Sequence, residues 1–153
     1  DEVRFLMSAN VGEELKPIQK VASGGELARI MLALKNVLAE QDHVMTMVFD
    51  EVDTGVSGRA AQRVAEKMAK LARIRQVLCV THLPQLAAMA DTHFSVEKGE
   101  ENGRTFTRVV ELDHAQRCAE LARLTGGGSV TQTQLRGAEE LLAAAEAFRN
   151  SLH

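Results

Sequence analysis

Apolar residues at Leu27, Ile30, Met31, Leu34 and Leu38 recur every three or four positions, the period of one helical face. The spacing predicts an amphipathic helix of about three turns starting near Leu27. Gln41-Asp42-His43 breaks it, and Val44-Met45-Thr46-Met47-Val48-Phe49 follows as a near-continuous apolar run. Such a run predicts a parallel strand buried on both faces. It leads straight into Asp50-Glu51-Val52-Asp53 and the turn Thr54-Gly55-Val56-Ser57-Gly58, where Ser57 is placed to cap a helix over 59–72. A second apolar strand over 77–81 ends at His82-Leu83-Pro84. Strand, helix, strand at these lengths predicts a right-handed crossover unit of a parallel sheet, and hence an α/β fold.

The flanks are shorter and more polar. Residues 3–8 read as a strand and 10–20 as a loop holding Gly12 and Pro17. A short helix is expected over 85–90, then a hairpin of strands 93–97 and 105–111 around a polar turn from Gly99 to Gly103. Two tail helices, 115–124 and 135–148, are divided by Gly126-Gly127-Gly128-Ser129. There is no internal repeat and no low-complexity linker, so the pattern predicts one compact unit. A start at Asp1 followed at once by a strand suggests a piece of a longer protein, although processing gives the same start.

Composition narrows the classes of function. The 153 residues are 45% hydrophobic, enough for one core. A net charge of −3 does not mark a general nucleic-acid binder, and five Phe with no Trp or Tyr argue against a stacking platform for single-stranded bases. No apolar run reaches the length of a membrane span, and no secretory leader pattern occurs. Cys79 and Cys118 are distant and lack a CxxC partner, which argues against a metal site or a disulfide framework and fits a reducing cytoplasm.

Three features carry candidate chemistry. Ala22-Ser23-Gly24-Gly25-Glu26 precedes the first helix. A helix N-terminus presents unpaired N–H groups and a positive dipole end to an anion, and glycines let backbone approach a phosphate closely. Ser-Gly-Gly alone reads first as an ordinary cap with a flexible entry. Second, Asp50-Glu51 stands at the C-terminal end of the apolar strand, the edge where α/β sheets bind ligands. Asp50 suits Mg²⁺ as a hard oxygen donor, and Glu51 suits orienting or deprotonating a water. Third, His82 closes the neighbouring strand, thirty-one residues after Glu51, in place to contact a γ-phosphate and the attacking water. Taken singly, the acidic pair reads as a loop start and the histidine as a structural hydrogen-bonder. Their order is the pattern of the signature, Walker B and switch-histidine motifs of ABC-type ATPases.

The wording around the motifs is narrower still. The segments Val21-Ala22-Ser23-Gly24-Gly25-Glu26-Leu27-Ala28-Arg29-Ile30 and Phe49-Asp50-Glu51-Val52-Asp53-Thr54-Gly55-Val56-Ser57-Gly58 resemble the RecN family of SMC-like proteins of double-strand-break repair. Thr81-His82-Leu83-Pro84-Gln85-Leu86-Ala87 and Ala119-Glu120-Leu121-Ala122-Arg123-Leu124-Thr125-Gly126-Gly127 agree, so the resemblance spans essentially the whole chain. It implies the C-terminal half of a P-loop NTPase head that sandwiches ATP and Mg²⁺ between two copies. Asp50 would hold the metal, and Glu51 and His82 would be catalytic on their own head. Ser23, Gly24, Gly25 and Glu26 would meet the nucleotide of the partner head, and Asp53 to Ser57 would form the D-loop. Many ABC proteins carry Asp where Ser57 stands, six residues after the Glu.

No Gly-x-x-x-x-Gly-Lys-Ser/Thr occurs, and no Lys follows Lys98, so Gly126-Gly127-Gly128-Ser129 is not a phosphate loop. The implied partners are therefore the N-terminal half of the same head, a second head in a homodimer, and double-stranded DNA in the full protein, with no membrane. Arg59, Arg63, Lys67 and Lys70 form a basic stripe on the second helix, read either as a contact to DNA or to the partner head, or as a solvated face. The alternatives are another ABC or SMC-like head, or a non-catalytic module of the same fold.

Overall fold

The computed structural model describes residues 3–8, 10–39, 41, 43–126 and 129–152. Asp1, Asp42, Gly127 and Gly128, which enter the start, break and linker readings above, lie outside these. The chain divides into two compact units, 1–81 and 82–153, where the sequence pattern predicts one.

In the first unit, β1 (Leu6–Met7) pairs antiparallel with β2 (Lys16–Pro17), and α1 (Ile18–Val21) follows. The expected loop over 10–20 thus holds a strand and a helical turn, tied back by the Ile18 N–H to the Phe5 carbonyl at 3.1 Å. Helix α2 (Gly24–Val37) begins earlier than its apolar stripe, because Ser23 and Glu26 close a capping box. Strand β3 (Thr46–Phe49) leads to α3 (Gly58–Leu71) and β4 (Gln76–Cys79), and β3 and β4 pair in parallel with Phe49 opposite Cys79. This is the predicted crossover unit.

The run ending at Phe49 is not buried on both faces. Met47 and Phe49 are buried while Thr46 and Val48 are exposed, as the alternating pleat requires when one face is covered. The uncovered face carries Val48, Leu78 and Val80. Helices α2 and α3 pack on one another, and Leu32, Ala61, Ala65, Met68 and Leu71 join the two strand residues in the core. On α3 the basic residues Arg59, Arg63, Lys67 and Lys70 are all exposed, opposite this buried stripe. Ser57 occupies the N-cap position of α3 without a side-chain cap bond, and Gly58 turns the chain at φ +52°, which a Cβ would disfavour.

In the second unit, α4 (Pro84–Met89) opens on Pro at its first turn, where the missing N–H is harmless. The hairpin of β5 (Phe94–Glu101) and β6 (Arg104–Glu111) is longer than expected. Its turn is Asn102-Gly103 alone, at φ +52° and +73°, the left-handed pair that matches strand twist. Gly99 lies inside β5 rather than in the turn, and the Phe106 ring covers it. Helices α5 (His114–Gly126) and α6 (Gln132–Asn150) pack on α4 and on each other through small residues including Ala87, Ala88, Ala122, Ala138 and Ala145. Helix α4 is too short to satisfy its own last carbonyls. Arg117 donates to the Ala87, Ala88 and Ala90 carbonyls and Arg149 to that of Ala88. Two cations thereby close the negative end of the helix.

Candidate active site

The site in the first unit is built from the start of α2 and the loop that leaves β3. At α2, the Ser23 N–H donates to Glu26 Oε2 at 2.9 Å, and the Glu26 N–H donates to Ser23 Oγ at 3.3 Å. The Ser23 hydroxyl therefore accepts within the helix and keeps its own hydrogen to donate elsewhere. The same backbone bond from Ser23, then its side chain, holds the Glu26 carboxyl below the usual range. The first-turn N–H groups of Gly24 and Gly25 have no acceptor available inside a helix.

At β3, Asp50 and Glu51 are both exposed, and Asp50 Oδ1 accepts from the Glu51 N–H at 2.8 Å. An exposed carboxylate at this strand end suits the single carboxylate that Mg²⁺ takes beside phosphates and waters. The buried Val52 and Asp53 anchor the loop from below. Thr81, just past β4, donates its hydroxyl to Asp53 Oδ2 at 2.6 Å. Arg29 of α2 donates to the Val52 and Thr54 carbonyls at 3.2 and 2.7 Å. Burial, with Asp53 and Asp50 adding negative charge, pushes the Cys79 thiol up to about 12, so this cysteine is a neutral packing residue.

The glycines decide how closely the two pieces meet. A Cβ on Gly25 would lie 2.9 Å from the Glu51 carbonyl oxygen and 3.0 Å from both Thr54 Cβ and Thr54 O. A Cβ on Gly24 would lie 2.6 Å from Glu51 Oε2. The Glu51 carboxylate thus rests against the positive end of α2. Glu51 itself has φ +57°, the left-handed region that side chains other than glycine rarely adopt.

Of the residues singled out by sequence, Ser23, Gly24, Gly25, Glu26, Asp50, Glu51 and Asp53 come together in this unit. Ser57 closes the same loop but is exposed. His82 opens the second unit, directly after Thr81, with its side chain exposed. Arg29 and Thr81 went unremarked as functional candidates. They act on backbone and on Asp53 across separations of twenty-three to twenty-eight residues, which no local motif encodes.

No protein-family model matches the chain. The DNA repair protein RecN of Bacillus subtilis is 52% identical over 151 residues, covering 99% of this chain. RecN of Vibrio cholerae is 48% identical over 95% of the chain, and that of Deinococcus radiodurans 49% over 93%. The chain spans about a quarter of the length of these relatives (26%, 26% and 25%). A solved structure from work on ATP-driven dimerization and DNA-stimulated activation of SMC ATPases superposes with a TM-score of 0.53. It covers 77% of this chain and 70% of its own at 23% identity, which supports the fold of an SMC-type head. Identity near one half along nearly every residue makes this chain a member of the RecN family, corresponding to its C-terminal part and sharing the fold of an SMC-type head.

Proposed function

We propose that this chain supplies the signature, Walker B, D-loop and switch-histidine parts of an ATP-hydrolysing head in an SMC-like double-strand-break repair protein. The observation that carries the reading is the convergence of a serine-capped, glycine-opened helix end on an Asp-Glu strand terminus. A bare helix cap has no reason to meet the Glu51 carboxylate there.

The roles follow from chemistry. Asp50 would hold Mg²⁺, which would supply charge neutralisation at the phosphates. Glu51 orients the attacking water and takes its proton, with His82 contributing at the γ-phosphate. Ser23 donates its hydroxyl, and Gly24 and Gly25 their N–H groups, to the γ-phosphate of the nucleotide on a second head, while Glu26 keeps Ser23 in place. Asp53 through Ser57 form the D-loop, braced by Arg29 and Thr81. The sequence has no loop for the α- and β-phosphates, so the nucleotide is cradled by the N-terminal half of the head. The uncovered sheet face at Val48, Leu78 and Val80 is a suitable seat for that half. Such a machine works in the cytoplasm on double-stranded DNA, and no helix among the described residues is long and apolar enough to cross a membrane.

The test is to assemble the complete head and follow ATP turnover against protein concentration. Turnover should rise more steeply than linearly, and Glu51→Gln should stop it while an ATP-bound dimer accumulates. Unchanged turnover in Glu51→Gln removes the base assignment. A wild-type head that neither hydrolyses ATP nor dimerises with it makes the chain a non-catalytic module.

A further inference from the structure

The second unit holds a group of donor side chains that the ATPase reading does not use. His114 and Cys118 stand four residues, about one turn, apart on α5, and Glu139 faces them from α6. His114 Nε2 lies 3.0 Å from Glu139 Oε2, and the three donor atoms all lie within 4.8 Å of one another. Among the described residues this is the one place where three such donors converge. Cys118 is 4% exposed and forms the floor, while the side chains of His114 and Glu139 are 69% and 55% exposed and form an open rim.

We propose that His114, Cys118 and Glu139 form a binding site for a divalent ion of the zinc class, with the fourth coordination position open to water. Zinc accepts this mixture of sulfur, nitrogen and oxygen at bond lengths of about 2.0–2.3 Å, which sets tetrahedral donors roughly 3.3–3.8 Å apart. The His114–Glu139 pair stands at 3.0 Å and all three donors lie within 4.8 Å, so small rotations of the two exposed side chains reach it. Thiolate and carboxylate together balance the charge of the ion. Thiol and imidazole donors favour zinc over the Mg²⁺ expected beside Asp50, so the two cations are sorted by ligand chemistry. Burial, with Glu139 adding to it, pushes the Cys118 thiol up to about 11, so without metal the sulfur keeps its proton. Binding forms the metal–sulfur bond and releases that proton to solvent. The bound ion would clamp α5 to α6 across their linker.

The full-length protein, stripped with a chelator, is titrated with Co²⁺ as a spectroscopic stand-in and then with Zn²⁺. The site predicts a thiolate-to-cobalt charge-transfer band that zinc displaces, is retained in Cys79→Ser, and is lost in Cys118→Ser. Because Cys118 is buried, the exposed variants His114→Ala and Glu139→Gln give a second reading, and each should weaken zinc binding at least about tenfold. A wild-type protein without the band, a band that persists in Cys118→Ser, or unchanged zinc affinity in both rim variants overturns the proposal. A plain His114–Glu139 ion pair over a thiol is then the right description, and the ATPase reading is untouched by that result.

Discussion

The two adjacent glycines at the start of α2 should respond unequally to the same substitution. In Gly25→Ala the new methyl carbon meets backbone and a β-branched side chain at 2.9–3.0 Å, closer than such atoms approach, on a buried residue. Neither carbonyl can retreat easily, since Arg29 donates to that of Thr54 and the Thr54 N–H donates to that of Glu51. Overpacking of this kind costs about 1–3 kcal/mol, and helix propensity returns roughly 0.5–1 kcal/mol, leaving about 1–2 kcal/mol of destabilisation. In Gly24→Ala the one close atom is Oε2 at the free end of the Glu51 side chain, which can swing aside. That variant should lie within about 0.5 kcal/mol of wild type. Native-state hydrogen exchange of the α2 amides in the full-length protein reads this locally. Exchange should quicken roughly five- to thirty-fold in Gly25→Ala and change less than about threefold in Gly24→Ala, since 1.4 kcal/mol is tenfold. Equal protection in the two variants, or faster exchange in Gly24→Ala, would refute the contact geometry. Loss of ATP turnover in the well-folded Gly24→Ala would separately support its place against a phosphate.

Caps provide a second contrast: Ser23→Ala, which loses a capping box, should cost about 1 kcal/mol in urea denaturation, whereas Ser57→Ala should stay within about 0.5 kcal/mol because no cap bond exists to lose. Burial, then the charge of Arg117, holds the His93 imidazole below its usual 6.5, against the opposing pull of Glu120. Above pH 6.5 both folded and unfolded states are neutral; as pH falls below it the unfolded chain protonates first, so stability should drop with falling pH, and His93→Gln should flatten that slope.

The sequence pattern placed α2, β3, α3 and β4 correctly in kind and order, because long apolar periods survive any tertiary context. It set Asp50 and Glu51 at a strand terminus and Ser23 and Gly24 at a helix start, positions with fixed geometric meaning, but gave no sign that Gly24 and Gly25 meet Glu51. It failed where local signals were ambiguous. Gly99 reads as a turn residue but is a strand position kept small for the Phe106 ring, while Asn102-Gly103 alone makes the turn. Ser57 has the right chemistry for a cap, yet the left-handed Gly58 directs the chain away from that bond. The short apolar content of residues 10–20 hid β2 and α1. The near-continuous run at β3 suggested two covered faces, whereas alternate residues meet different surroundings.

The backbone of Glu51 has a consequence for how this position evolves. A left-handed conformation costs a residue with a Cβ roughly 1–2 kcal/mol, and Asn or Gly tolerates it better. Position 51 is therefore one where folding alone would choose another amino acid. Glu51→Asn should raise the urea midpoint of the head while abolishing ATP turnover, and an unchanged midpoint would show that no strain is stored there. Stability screens would then enrich inactive proteins at this site first, a trade between durability and chemistry set by one dihedral angle.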